Sequence, residues 1–496
     1  MYHSLRVLFV ALAVSSAMAL AGCGPATQAS PVTVADGPSH PGVDAVFADL
    51  DRDGPGAAVG VLLGGEIVHR AGYGVAHLDH GVPITPGTVF DIASISKQFG
   101  AMAALLLEAD GKLDLDEDVR AYVPELPDFG VRITPRHLIH HTSGIRDWVH
   151  VMSLAGLERS DVISFDGILR MLFDQQAVNF DPGAEYAYSN TGYNLLARVI
   201  EAQSGMSFRE FTRQRIFEPL GMSRTHFSDD HLEVVAGRAE SYSPDGDAGF
   251  VRQPNQLTAL ASSSLNTTID DFILWMRNYE TGEVGGEEVV KTMVEQGMLN
   301  DGQTLAYAHG LTIGEYRGLP NFGHGGSWAG YRTNFVRFPE QDLSIAVFCN
   351  VSDCDPAGRA RRVAEVFAGE AMGPEPEPVG SAEITDAPPP MPTEAQLREY
   401  AGRYRSPELD MTYEIVVDRG SLVARHWRTG PSALAPAGED TFSGNPRLFP
   451  ELRFRRDGSG RVVAFTVTGG RVRDLIFERV GGQATTAPRP PAGSRP

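Results

Sequence analysis

Phe90-Asp91-Ile92-Ala93-Ser94-Ile95-Ser96-Lys97 is followed by Phe99, Met102, Leu105 and Leu106 at helical spacing, and the run stops at Asp110-Gly111. This spacing predicts a helix beginning close to Ser94. Residues three apart share a helix face, so Ser94 and Lys97 stand one turn apart, with the amine in reach of the hydroxyl. A serine hydroxyl is a poor nucleophile until a neighbouring base takes its proton. Lysine can be that base when burial and nearby positive charge lower its pKa, whereas arginine cannot. The helix start adds backbone N–H groups and the positive end of a dipole beside the reacting oxygen. A lone Ser-x-x-Lys also arises by chance, and the competing reading is an exposed helix start with a solvated lysine.

Composition sharpens the choice. The chain has 496 residues and 42 basic ones, of which 39 are Arg and three are Lys: Lys97, Lys112 and Lys291. Where lysine is this rare, a position that keeps one needs what arginine cannot supply, unless codon bias left it there. Neither Lys112 nor Lys291 has a serine three residues before it. The length, with 42% apolar residues, gives two or three domains with real cores and excludes a disordered chain. The net charge of -21 excludes nucleic acid held by a general electrostatic field.

Two downstream stretches add weight. Tyr186-Ala187-Tyr188-Ser189-Asn190 holds the chain's one Tyr-x-Asn and precedes a helical segment, Gly192 to Ile200. A tyrosine hydroxyl relays protons, and an asparagine amide orients both a lysine and a substrate carbonyl. Tyr188 as a core aromatic and Asn190 as a helix cap are the competing readings. Phe322-Gly323-His324-Gly325-Gly326-Ser327 leads into alternating strand residues and a turn near Pro339, and its glycines let a substrate backbone lie along a strand edge. His324 can also serve as a structural hydrogen-bonder. Upstream, Ala57 to Leu63, Gly64-Gly65 and a strand from Glu66 read as a hairpin.

Ser-x-x-Lys, Tyr-x-Asn and His-x-Gly in this order resemble the serine β-lactamase and penicillin-binding family, in the branch of class C β-lactamases, DD-carboxypeptidases, D-aminopeptidases and related esterases. His141-Thr142-Ser143-Gly144 is similar to that branch too. The resemblance spans about Val43 to Gly369. It implies an α/β (α+β) sandwich, an antiparallel sheet with flanking helices, that needs no metal or cofactor. In its terms Ser94 attacks a carbonyl and forms an acyl-enzyme, with Lys97 and Tyr188 sharing the proton transfers. Asn190 positions Lys97 and the substrate, and the backbone N–H groups of Ser94 and Ser327 form the oxyanion hole. Gly326 and Ser327 line the substrate. His324 stands where β-lactamases carry lysine, and a neutral imidazole grips a carboxylate less firmly than an ammonium. That departure favours a peptidase or esterase acting on a small molecule or short peptide. The alternatives are a true antibiotic-hydrolysing β-lactamase, or a non-catalytic receptor for cell-wall peptide.

The flanks complete the organisation. Residues 1–22 read as a lipoprotein signal peptide: Arg6, an apolar run from Val7, then Leu20-Ala21-Gly22-Cys23, which resembles a lipobox with Cys23 as the lipidated residue. Gly24 after Cys23 favours, by resemblance, the outer membrane of a Gram-negative cell with the protein facing the periplasm. An ordinary signal cleaved near Ala21 is the other reading. Residues 23–42 form a tether, 43–371 the hydrolase-like domain and 372–391 a Pro/Glu-rich linker. Residues 392–480 show short alternating strands with turns at Asp418-Arg419-Gly420, Asp457-Gly458 and Gly469-Gly470, an antiparallel β-barrel that resembles the lipocalin-like domain appended to such hydrolases. Residues 481–496 are a disordered tail. Cys349 and Cys354 can close a small disulfide loop or stay as thiols. Asp49 to Gly60 fails as a calcium loop for want of Glu at its twelfth position. His77-Leu78-Asp79-His80 and His140-His141 lack a full metal ligand set, and the latter pair is read as capping or packing a loop.

Overall fold

The structure, a computed structural model, describes residues 37–375 and 391–481. The expected signal peptide, Cys23, most of the tether and the Pro/Glu linker, and nearly all of the tail lie outside the described residues. The first helix, Pro41–Val46, is capped by the His40 side chain, so regular structure begins just ahead of the boundary expected at residue 43.

The hairpin forms as its pattern requires. Ala57–Leu63 (β1) and Glu66–Tyr73 (β2) pair antiparallel across Gly64-Gly65, both at positive φ. Four later strands join them: Thr312–Tyr316 (β3), Leu319–Trp328 (β4), Tyr331–Phe338 (β5) and Leu343–Cys349 (β6). The sheet order is β3-β4-β5-β6-β1-β2, antiparallel throughout. β1 and β6 are apolar at almost every position because both faces are covered. On one face Ala57, Val59, Val61, Ile345 and Val347 pack with Val363 and Ala364 of the helix Pro356–Ala368. On the other, Ala58, Leu62 and Phe348 join the large core that holds the helices Lys97–Ala109 (α1) and Asn190–Ser204 (α3). Cys349 and Cys354, left open by the sequence, form a disulfide at the end of β6.

The helix expected to begin close to Ser94 begins differently. Ala93–Ser96 is a 3-10 turn, and the α-helix proper starts at Lys97. In a 3-10 turn residues i and i+3 eclipse, which stacks Ser94 directly under Lys97 rather than offset along an α-helical face.

The C-terminal strands close an eight-stranded antiparallel barrel, in chain order from Gly402–Ser406 to Val462–Gly469 (β7) and Val472–Arg479 (β8). Alternate residues such as Tyr413, Ile415, Leu452, Phe454, Phe465 and Val467 fill it. Val151 and Leu154 belong to the same cluster although they lie on the helix Trp148–Leu154 (α2) of the hydrolase-like part. Trp148 and Met152, on the other side of α2, pack with Ala93 and Trp328. One short helix thus touches both the barrel core and the turn that carries Ser94.

Candidate active site

Lys97 is fully buried and anchors the site. Its Nζ lies 2.8 Å from Asn190 Oδ1, 2.8 Å from the Ser262 carbonyl oxygen and 3.3 Å from Ser94 Oγ. The first two oxygens only accept. Asn190 Oδ1 is fixed in that role because Asn190 Nδ2 donates to Asp147 Oδ2 at 3.1 Å. A neutral amine has two N–H bonds and one lone pair. Both N–H bonds are taken up by those oxygens, which leaves the lone pair for the hydroxyl of Ser94. Burial drives the Lys97 pKa well below the ordinary lysine value, against the pull of Asp147 and with the help of Arg471. Ser94 and Lys97 are therefore set up for proton transfer from oxygen to nitrogen.

Tyr188 borders the same groups, with Lys97 Nζ 4.8 Å from its ring centroid. Burial pushes the Tyr188 phenol up, and Ser94 and Arg471 pull it back. Asn190 opens α3, whose cap Ser189 accepts from the Gly192 N–H. The asparagine thus has a capping neighbour and a separate polar task of its own.

β4 runs past the nucleophile's turn. β3 pairs with it only as far as Gly323, and beyond that no described strand covers that edge. Gly325 and Ser327 are exposed there, where Ser327 can present its backbone to a substrate. Gly326 is buried: a side chain on it would drive into the Ile92 carbonyl and Thr333. Thr333 Oγ1 donates to the Ile92 carbonyl oxygen at 2.9 Å, so a missing side chain at 326 lets the sheet clamp the residues before Ser94. Ala93 has a φ of 48°, strained for a residue with a Cβ. The buried Asp91 carboxylate holds it by accepting from the Ala93 N–H at 2.8 Å.

His324 is buried and turned inward. Nδ1 lies 2.6 Å from the Gly325 carbonyl oxygen, which fixes Nδ1–H as the donor, and Nε2 then accepts from the Tyr307 hydroxyl at 3.2 Å. Burial and the nearby Lys97 push its pKa down to about 3. It is a neutral ring with both nitrogens engaged, so the weak carboxylate grip expected from the sequence is weakened further.

Sequence reasoning missed four contributors. His141, at a φ of 59°, accepts from the Ser189 N–H through Nδ1 at 3.1 Å and packs tilted against the Tyr188 ring, centroids 4.2 Å apart, which shapes the Tyr-x-Asn loop. The sequence shows it in the family-like stretch His141-Thr142-Ser143-Gly144 and as a residue that caps or packs a loop, with no mark of this role. Asp147 is buried, caps α2 through the Val149 N–H at 3.0 Å and receives both the backbone and side-chain N–H groups of Asn190. Its sequence signal, an acidic residue before a helix, foretells a cap and nothing more. Ser262 contributes a carbonyl, which no residue type announces. Arg471 comes from the barrel's β7–β8 turn: its guanidinium lies 4.6 Å from the Tyr188 ring centroid and 3.6 Å from Asp147 Oδ2. One arginine among the 14 of residues 391–480 carries no mark.

Fold and site together define a serine hydrolase of the β-lactamase and penicillin-binding class, with a Ser-x-x-Lys centre. The beta-lactamase family model matches residues 43–368, and the chain belongs to that family. A D-aminopeptidase of Gluconobacter oxydans (strain 621H) is 30% identical over 297 residues, 60% of this chain and 56% of that protein. The match therefore spans little more than half of that relative. A D-aminopeptidase of Brucella canis is 27% identical over 407 residues, 82% of this chain and 73% of that one. The octameric penicillin-binding protein homologue from Pyrococcus abyssi superposes with a TM-score of 0.58 at 25% identity, covering 86% of this chain and 96% of its own.

Proposed function

We propose that the chain hydrolyses amide bonds in small amides or short peptides bearing a D residue, through an acyl-enzyme on Ser94. The observation that carries this is the placement of Lys97 Nζ, 2.8 Å from each of two oxygens that only accept and 3.3 Å from Ser94 Oγ. As Oγ bonds to the carbonyl carbon, its proton passes to Lys97, and the carbonyl oxygen takes the negative charge against the backbone N–H groups of Ser94 and Ser327. The C–N bond then breaks while the leaving nitrogen takes a proton from Tyr188, which Lys97 replenishes. Water attacks the ester in the second half and gives its proton to the same pair; the C–Oγ bond breaks, the pair returns the proton to Ser94 Oγ, and the acid leaves. The inward-facing, neutral His324 supports a peptidase over an efficient β-lactamase, and the D-aminopeptidase relatives support the D-residue preference.

Incubation with a fluorophosphonate, followed by peptide mass spectrometry and hydrolysis of D- and L-alanine p-nitroanilides, tests this. The expected result is one adduct on Ser94, faster turnover of the D-anilide, and loss of both in Ser94→Ala. No adduct on wild type, under conditions that label a control hydrolase, would favour the non-catalytic receptor. An adduct that persists in Ser94→Ala would exclude this nucleophile. The same reading places the protein on a membrane through lipidated Cys23, facing the periplasm. Cys23→Ala should move it from the membrane pellet to the soluble fraction, and an unchanged distribution would overturn the anchor.

A further inference from the structure

We propose that Arg471, carried by the barrel, is a positioning residue of the hydrolytic centre: its guanidinium offsets the buried Asp147 carboxylate, so that Lys97 acts as a base only with the barrel docked. This rests on the reading of Lys97 as the base.

The geometry is a continuous chain. Arg471 Nη1 lies 3.6 Å from Asp147 Oδ2. That oxygen accepts from Asn190 Nδ2, and Asn190 Oδ1 accepts from Lys97 Nζ, which faces Ser94. The backbone ties the same pair, since the Asp147 N–H donates to the Arg471 carbonyl oxygen at 3.2 Å. Asn179 Nδ2 donates to that carbonyl as well, at 3.0 Å, so the turn between β7 and β8 is held on two sides.

Asp147 creates an electrostatic difficulty that Arg471 resolves. The asparagine that aims Lys97 needs a carboxylate behind it, yet a buried anion so close favours the ammonium, the form that cannot take a proton. An arginine against that anion leaves the orienting hydrogen bonds in place and removes the net charge. Arginine suits the task because it never loses its proton. The guanidinium also lies over the Tyr188 ring face, where a fixed cation favours the phenolate. Both effects push the proton-transfer pair toward its basic forms.

The other groups facing Lys97 do not perform this task. Tyr188 and Tyr193 present ring faces 4.8 and 5.6 Å from its Nζ. His141 and His324 are held neutral by burial, His141 well below the ordinary histidine value and His324 at about 3. Tyr186 faces Arg471 and is raised by burial to about 12, so it too is neutral. Among the described residues the electrostatic pulls on Lys97 come from Asp147, which raises its pKa, and Arg471, which lowers it.

The test is the pH profile of kcat/KM for D-alanine p-nitroanilide with full-length wild type and Arg471→Met, Arg471→Lys and Arg471→Met/Asp147→Asn. In Arg471→Met the acid limb is expected to move up by about one unit or more, the size of shift an adjacent charge produces. Below the shifted limb activity then falls about tenfold or more relative to wild type, and it recovers at higher pH, with KM little changed. Arg471→Lys should keep the limb in place. The double variant should bring it back, because the anion has gone with the cation. A pH-independent loss in Arg471→Met, or an unmoved limb, would overturn the inference. So would a rise in KM confined to substrates with a free carboxylate, which would make Arg471 a substrate grip. An inactive wild type without a Ser94 adduct would overturn the underlying reading as well; an active wild type with an unmoved limb would overturn this inference alone.

Discussion

Lys97 shows why one residue type at one position decides the chemistry. As the proposed base its amine must lose a proton, and the site favours that by burial, while two acceptor oxygens lie 2.8 Å from its Nζ. Because the folded value lies below the ordinary 10.5 and the working form is deprotonated, kcat/KM should fall as pH drops through that lowered value and level off above it. Lys97→Arg puts a permanent cation in place of the titratable amine and removes the base, so acylation rates should drop by about 10²–10⁴ at every accessible pH, seen in stopped-flow acylation. His324 is neutral across the same range. His324→Asn should therefore lower the rate without moving the acid limb, and a moved limb would assign that ionisation to the imidazole. At this scale the sequence was legible wherever spacing carried information. Ser94 and Lys97 are three apart, and Tyr188 and Asn190 are two apart. Asp147 and Arg471 lie far apart in the sequence, with no local pattern to mark either.

At the scale of elements, β4 and α2 aim the nucleophile. β4 supplies a free edge beyond Gly323 and presses Gly326 against Ile92. Gly326→Ala puts a methyl well inside contact distance of the Ile92 carbonyl and Thr333, so the strand must retreat from the nucleophile's turn. Overpacking of this kind costs about 1–3 kcal/mol, measurable by urea denaturation. The loss in acylation rate should exceed the loss in stability, because the displaced strand is the one that faces the carbonyl. Helix α2 divides its residues between two tasks, Trp148 and Met152 toward Ala93 and Trp328, Val151 and Leu154 toward the barrel core. The sequence announced α1 by its apolar spacing but not its first turn. Ala93–Ser96 winds as 3-10 because Asp91 fixes the Ala93 N–H and the sheet clamps Ile92, tertiary restraints that periodicity does not encode.

For the whole molecule the decisive contact is where the barrel meets the hydrolase-like part, which alternation could not foretell: it revealed a barrel, not its docking face. Among the described residues four ion pairs bridge the two: Arg471–Asp147 at the centre, and three others. Arg146–Glu408 is buried, with side chains 3% and 4% exposed, and spans 262 positions. Arg473–Glu185 and Arg428–Asp161 are more open, at 42% and 47%, and 34% and 22%. Magnitudes separate them. Exposed pairs contribute about 0.2–1 kcal/mol each, so Arg428→Ala/Arg473→Ala should cost under about 2 kcal/mol. Removing one partner of a buried pair leaves a charge without compensation and costs about 3–5 kcal/mol. Arg146 also donates to the Ala177 and Arg473 carbonyl oxygens, so Glu408→Ala should fall at the lower end of that range. Urea titrations of the full chain measure both. The activity of Glu408→Ala carries the argument back to the centre. Where the barrel loosens, the β7–β8 turn and its arginine leave Asp147, and Lys97 keeps its proton to higher pH. Turnover should then fall on the acid limb and recover as the pH rises. The exposed-pair variant should keep the wild-type profile, and equal profiles for the two variants would show that docking and proton transfer are independent.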